Sequence, residues 1–301
     1  MFIKTLITHA TIQTIIACSA LVVSYQTLAT TSKTNDWMPD KSFTQGVEGP
    51  AVDKFGNLYA VNFAQEGTIG KVTAQNTAEI LITLPNGSIG NGIRFDHQGN
   101  MYIADYVNHN VLKYENASKT LSVFAHNAQM NQPNDIAIMD NGTLFASDPN
   151  WGKSSGNLWR INQDGLTKLL EENMGTTNGV EVSPDNKTLY VNESVQRNIW
   201  RYDLDSQGNI SNKSLLIKFD DHGMDGMRTD NQGNLYVARY GAGEVAVISP
   251  EGTLLKTIKL TGQHPTNVAF GGNDGKQVFV TMQKRGAIES FINDIAGRNY
   301  P

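Results

Sequence analysis

The sequence predicts an all-β fold, a six-bladed β-propeller whose ring is closed by an N-terminal strand. Two observations predict it. Six segments share one pattern: EGPAVDKFGNLYAVNF from Glu48, NGIRFDHQGNMYIADY from Asn91, NDIAIMDNGTLFASDP from Asn134, NGVEVSPDNKTLYVNES from Asn178, DGMRTDNQGNLYVARY from Asp225 and NVAFGGNDGKQVFVTM from Asn267. Their starts lie 43, 43, 44, 47 and 42 residues apart, the length of one four-stranded propeller blade. Beyond the first thirty residues, no stretch of ten sustains the 3.6-residue spacing of an amphipathic helix.

The chain opens differently from how it continues. Lys4 is the only charge before Lys33, and Ile12 to Leu28 is apolar and rich in small residues, ending in Thr27-Leu28-Ala29. This pattern predicts a signal peptide over residues 1–29, followed by a single propeller domain over 30–301, periplasmic or secreted and with no membrane span in the mature protein. Cys18, the only cysteine, falls within the leader; Ile15-Ile16-Ala17-Cys18 keeps a lipid-anchored form as the lesser alternative.

Each repeat then reads as an alternating apolar strand, a Gly/Asn/Asp turn and a second strand carrying an aromatic residue, the pattern of a hairpin. A third strand follows at Ile69–Val72, Val111–Tyr114, Leu158–Ile161, Ile199–Tyr202, Val245–Ile248 and Ile288–Phe291. The sixth repeat runs out of chain after three strands. Trp37 to Gln45 is the free segment that can complete it, beside Ile288 to Ile292.

Composition narrows the partners. With 24 Lys and Arg against 29 Asp and Glu, a net charge of −5 and no basic cluster, the chain lacks the concentrated positive potential that nucleic acid requires. A small molecule is the expected partner, and the oligomeric state stays open.

The first residue of every repeat is polar: Glu48, Asn91, Asn134, Asn178, Asp225 and Asn267. Because the first strand of each blade lines the channel, six polar side chains converge on one end of it. Asn and Asp also favour strand starts through local backbone hydrogen bonds, but that does not account for Glu48. Two carboxylates with several amides make a hard oxygen site suited to one divalent cation, Ca²⁺ first, with Mg²⁺ or Mn²⁺ and the less suited Zn²⁺ as alternatives.

The stretches EGPAVDKFGNLY, PNDIAI, TTNGVEVSPDNKTLYV, DGMRTDNQGNLYVARYGAGEV and PTNVAFGGNDGKQVFVT resemble the gluconolactonase, senescence-marker-protein and luciferin-regenerating-enzyme-like family of calcium propellers, with diisopropyl fluorophosphatase more distant. The resemblance covers roughly residues 45 to 292. It implies a metal-dependent hydrolase that opens a small, sugar-type lactone or ester. It further implies Glu48, Asn134, Asn178 and Asp225 as metal ligands, Asp225 as the catalytic carboxylate, and Asn91 and Asn267 as substrate-orienting residues. Asp148-Pro149-Asn150-Trp151 matches a segment over the channel mouth, which makes Asp148 and Trp151 substrate-contact candidates.

Two other readings stay open: a phosphotriesterase-like or other ester hydrolase at the same site, and a non-catalytic binding propeller. The first is weakened because the channel histidine of diisopropyl fluorophosphatase has Gln283 as its nearest counterpart. Gly152-Lys153-Ser154-Ser155-Gly156 matches Gly-x-Ser-x-Gly, but between propeller strands it lacks the strand-turn-helix setting of a nucleophile elbow. The loop from Asp203 resembles a calcium loop whose twelfth position is Ser214 where Glu is required. Among the histidines, His264 is the candidate for contact with a second, structural ion.

Overall fold

The computed structural model describes residues 33–298, so the expected leader over 1–29, with Cys18, lies outside the described residues. The expected propeller is present: six four-stranded antiparallel sheets, five of them meanders and the sixth completed by the N-terminal strand, with the innermost strand of each opening one sequence repeat. Those inner strands are Ala51–Val52, Gly90–Phe95, Ile136–Ile138, Thr177–Val182, Met227–Thr229 and Pro265–Gly271. No α-helix occurs among the described residues, only single 3₁₀ turns at Trp151–Lys153 and Gln283–Arg285. None of them could cross a membrane.

The turn after the inner strand shows how the repeat folds locally. In Asp-x-x-Gly-Asn-x-Tyr of blade one, Asp53 Oδ1 accepts from the amides of Phe55 and Asn57, each at 2.9 Å, while Oδ2 accepts from the Tyr59 hydroxyl. Blades two and five repeat the device with Asp96 and Tyr102, and with Asp230 and Tyr236. A buried hydroxyl donating to a carboxylate resists ionisation; burial and Asp96 push the Tyr102 phenol up to about 12.

Packing is between blades. Six apolar clusters form, one at each junction, because a single blade is apolar on both faces and cannot bury them alone. The cluster that joins the last blade to the first unites Met38, Phe279 and Ile288 with Leu58, Ala60 and Val72.

Ring closure follows the expected plan, with the pairing strand two residues earlier than Trp37, at Asn35–Met38. It pairs antiparallel with Ala287–Ile292, Asp36 facing Glu289 and Met38 facing Ile288. Arg285 clamps the seam: Nη1 and Nη2 reach the two oxygens of Asp36 at 2.9 and 2.8 Å, and Nη1 also reaches Glu289 at 2.8 Å. A bidentate guanidinium–carboxylate pair fixes geometry better than a single ion pair.

Candidate active site in the channel mouth

In four blades the inner strand or the residues leading into it carry a polar residue followed by glycine: Glu48-Gly49, Asn91-Gly92, Asn178-Gly179 and Asp225-Gly226. The glycines let neighbouring blades crowd the channel axis. A Cβ on Gly226 would lie 1.8 Å from Asn267 Cγ, and one on Gly49 would lie 2.0 Å from the Asn91 carbonyl oxygen. Gly49 also takes φ +56°, which a side chain rarely tolerates.

Glu48, Asn91, Asn134, Asn178 and Asp225 all line one cavity of about 430 Å³ at this end of the channel. Glu48 Oε1, Asn134 Oδ1 and Asn178 Oδ1 are buried there without a hydrogen-bond partner. Buried polar atoms are almost always paired, so three orphan oxygens facing one cavity mark a place built for a ligand that accepts lone pairs. Two carboxylates and two amide oxygens fit a hard divalent cation. Among the described residues no cluster of three His, Cys, Asp or Glu could hold a metal, so such a cation depends on the amides.

Electrostatics agree with the geometry. Glu48 is pushed up to about 7, first by burial and then by Asp135. Asp225 is held well above the usual carboxylate range by burial, then by Glu48 and Asp135, while a hydrogen bond from Asn178 opposes the shift. The pair therefore resists carrying two negative charges without a counter-charge between them.

The second ring is polar as well. Asn91 Nδ2 donates to the Asn134 carbonyl at 3.1 Å, and Asn192 Nδ2 donates to the Asp225 carbonyl at 2.6 Å. Asn267 differs from the expectation. Fully buried and outside the cavity lining, it donates from Nδ2 to Glu48 Oε2 at 3.0 Å and accepts from Arg228 at 3.1 Å, so it positions that carboxylate, while Thr266, one residue earlier, holds the ring position in the sixth blade and lines the cavity.

Asp148 requires the same correction. It is fully buried outside the lining, where Oδ1 accepts from the amides of Asn131 and Gln132 and Oδ2 from the Trp159 indole at 2.9 Å. Asn157 faces it on the neighbouring strand of the blade. Trp151, three residues on, is 41% exposed and lines the cavity. Ser154 leaves its 3₁₀ turn at φ +51° and enters a strand, so no nucleophile elbow forms.

Sequence reasoning missed several lining residues: Glu66, Tyr106, Ser194 and Tyr240 come from loops between the second and third strands of different blades. Gln283, noted only as a replacement, also lines the cavity, with its Oε1 accepting from the Tyr240 hydroxyl at 2.6 Å. His264 packs edge-on against Tyr240, ring centroids 4.9 Å apart. Sequence reasoning also missed the charged layer beneath the ring. Arg94 bonds Asp135 at 3.2 Å and Glu181 at 3.1 Å, and Arg298 lies 3.7 Å from Glu181.

A larger cavity, about 790 Å³, opens at the other end of the inner strands and is floored by Arg94, Glu181, Arg228 and Arg298. Its charges are mostly matched among themselves, and none of the orphan oxygens of the ring faces it. The smaller cavity is therefore the one equipped for chemistry.

Residues 47–284 match the SMP-30/gluconolactonase/LRE-like region. The chain belongs to this family. A gluconolactonase of Zymomonas mobilis is 27% identical over 272 residues, spanning 79% of this chain and 76% of that protein. Regucalcin of Sus scrofa is 33% identical over 138 residues, spanning 44% of this chain and 46% of that protein. Among solved structures, a calcium-binding protein, regucalcin, from Agrobacterium tumefaciens superposes with a TM-score of 0.77 at 20% identity, covering 89% of this chain and 96% of that one. That likeness supports the six-bladed fold of the family member described here.

Proposed function

We propose that this protein is a hydrolase that opens a small, sugar-type lactone in the 430 Å³ cavity. The observation that carries the reading is the convergence of three unpartnered buried oxygens with a carboxylate pair whose burial resists double ionisation. Family membership and the gluconolactonase relative support the substrate class.

Glu48, Asn134, Asn178 and Asp225 would hold the divalent cation, Ca²⁺ first. When bound, it supplies positive charge that polarises an ester carbonyl. Asp225 accepts the proton of a water that attacks the carbonyl carbon. The ring C–O bond then breaks, and the proton passes to the departing alkoxide, giving the hydroxy acid. Asn91 faces the same cavity and has its amide fixed by Asn134, so it is placed to orient the substrate. Trp151 lines the cavity, where its ring would shield the reacting atoms from bulk water once substrate is bound.

A pH-indicator assay of the purified protein on aldonolactones and simple γ- and δ-lactones, with chelator or with added Ca²⁺, Mg²⁺ or Mn²⁺, tests this. Acid release that stops with chelator and returns with one cation supports the reading; no lactone opened under any cation overturns it. The leader reading places the enzyme in the periplasm or outside the cell, and N-terminal sequencing of the mature protein checks cleavage after Ala29.

A further inference from the structure

We infer that the cavity excludes anionic lactones and takes uncharged ones, with Glu66 on its rim as the residue that sets this; the inference rests on the lactonase reading. Three carboxylates line the cavity, Glu48, Asp225 and Glu66, and no Lys, Arg or His does so among the described residues. Glu48 and Asp225 already match the charge of one divalent cation. The third carboxylate has no such counterpart.

Glu66 is exposed and anchored on the rim, where Oε1 accepts from the Thr44 hydroxyl at 3.0 Å. An anionic arm on a substrate would have to shed water beside this like charge, with no cationic side chain in the lining to replace the lost hydration. The nearest candidates are committed elsewhere. Arg94 and Arg228 line the opposite cavity and bond Asp135, Glu181 and Asn267. Arg285, next to Gln283 in the chain by two positions, is held in the seam by Asp36, Asp40 and Glu289. Lys153 and Lys284 share loops with Trp151 and Gln283 but do not line the cavity.

The remaining wall is aromatic. Tyr106, Trp151 and Tyr240 come from blades two, three and five and offer flat apolar faces against which the C–H face of an uncharged ring packs. Aromatic faces present negative potential, which adds to the penalty on an anion.

The test compares kcat/KM of the cation-loaded wild type, Glu66→Gln and Glu66→Lys on an aldono-δ-lactone and on the same lactone carrying a 6-phosphate. Wild type opens the neutral lactone about a hundredfold faster. Glu66→Lys narrows that ratio about tenfold, with Glu66→Gln between, and added salt shrinks the difference as for any exposed charge. The 6-phosphate leaves opening of the neutral lactone uninhibited in wild type at matched concentration. Equal rates on the two lactones, inhibition by the 6-phosphate, or a ratio unmoved by Glu66→Lys overturns the inference while the lactonase reading stands. Opening of neither lactone overturns both.

Discussion

Asn267 donates from Nδ2 to Oε2 of Glu48 at 3.0 Å, across the junction of the sixth and first blades, and leaves Oε1 of the same carboxylate buried with no partner. One oxygen is thus held by the protein and the other is presented to the cavity. The seam that closes the ring therefore also shapes the candidate cation site.

Asp225→Asn should lower kcat/KM by about 10² to 10⁴, the usual contribution of a general base. Its thermal unfolding midpoint should not fall, since the change removes a buried charge that has like charges beside it. Steady-state rates with a circular-dichroism melt check both; wild-type turnover in this variant would exclude Asp225 as the base.

Glu48→Gln keeps the shape of the side chain but not its charge, so titration calorimetry should show cation affinity reduced about tenfold or more. Asn267→Ala should weaken the same affinity by a smaller factor, because the carboxylate remains but loses the donor that orients it.

The raised affinity of Glu48 for its proton gives the cation-free protein a defined pH response. Its carboxyl moves from the ordinary 4.5 up to about 7 on folding, so the folded state holds the proton more tightly. Stability from this group is complete below 4.5 and is lost as pH rises through about 7. Chelated wild type should therefore melt about 5 °C lower at the top of that window than at the bottom, relative to chelated Glu48→Gln. Added cation should remove the difference, and equal pH profiles for the two chelated proteins would refute the account.

Asp148→Ala should cost about 2–4 kcal/mol, because two backbone amides and the Trp159 indole lose a buried acceptor together. At temperatures where the variant is folded, KM should match wild type. A raised KM with unchanged stability would return Asp148 to the substrate-contact role.

Gly226→Ala places a methyl group 1.8 Å from Asn267 Cγ, so either the inner strand or Asn267 must move. Loss of about 1–3 kcal/mol with weakened cation affinity is expected, through displacement of the residue that holds Glu48. A denaturant melt and calorimetry on the same sample measure the two effects.

The sequence by itself determined the blades, their number and their inner strands, because each blade repeats a local code of turn residues and alternating apolar positions, with a capping Asp in blades one, two and five. It also determined the polar ring, since residues at one position of a cyclic repeat must share one radius of the channel. Tertiary structure decided the sixth ring member. Ala269 faces Phe279 as Glu181 faces Tyr190, so Thr266 stands where Asn178 does and lines the cavity, while Asn267, one residue later, supports Glu48; a one-residue difference in register moves a side chain to the other face of a strand. The same holds for Glu66, Tyr106 and Tyr240, which sit in unrelated loops and meet only because ring closure brings the loop ends of all six blades to one mouth. Asp148 shows the converse: its place beside Trp151 suggested the mouth, but it lies within the strand Leu144–Asn150 with its carboxylate taken by two backbone amides and the Trp159 indole.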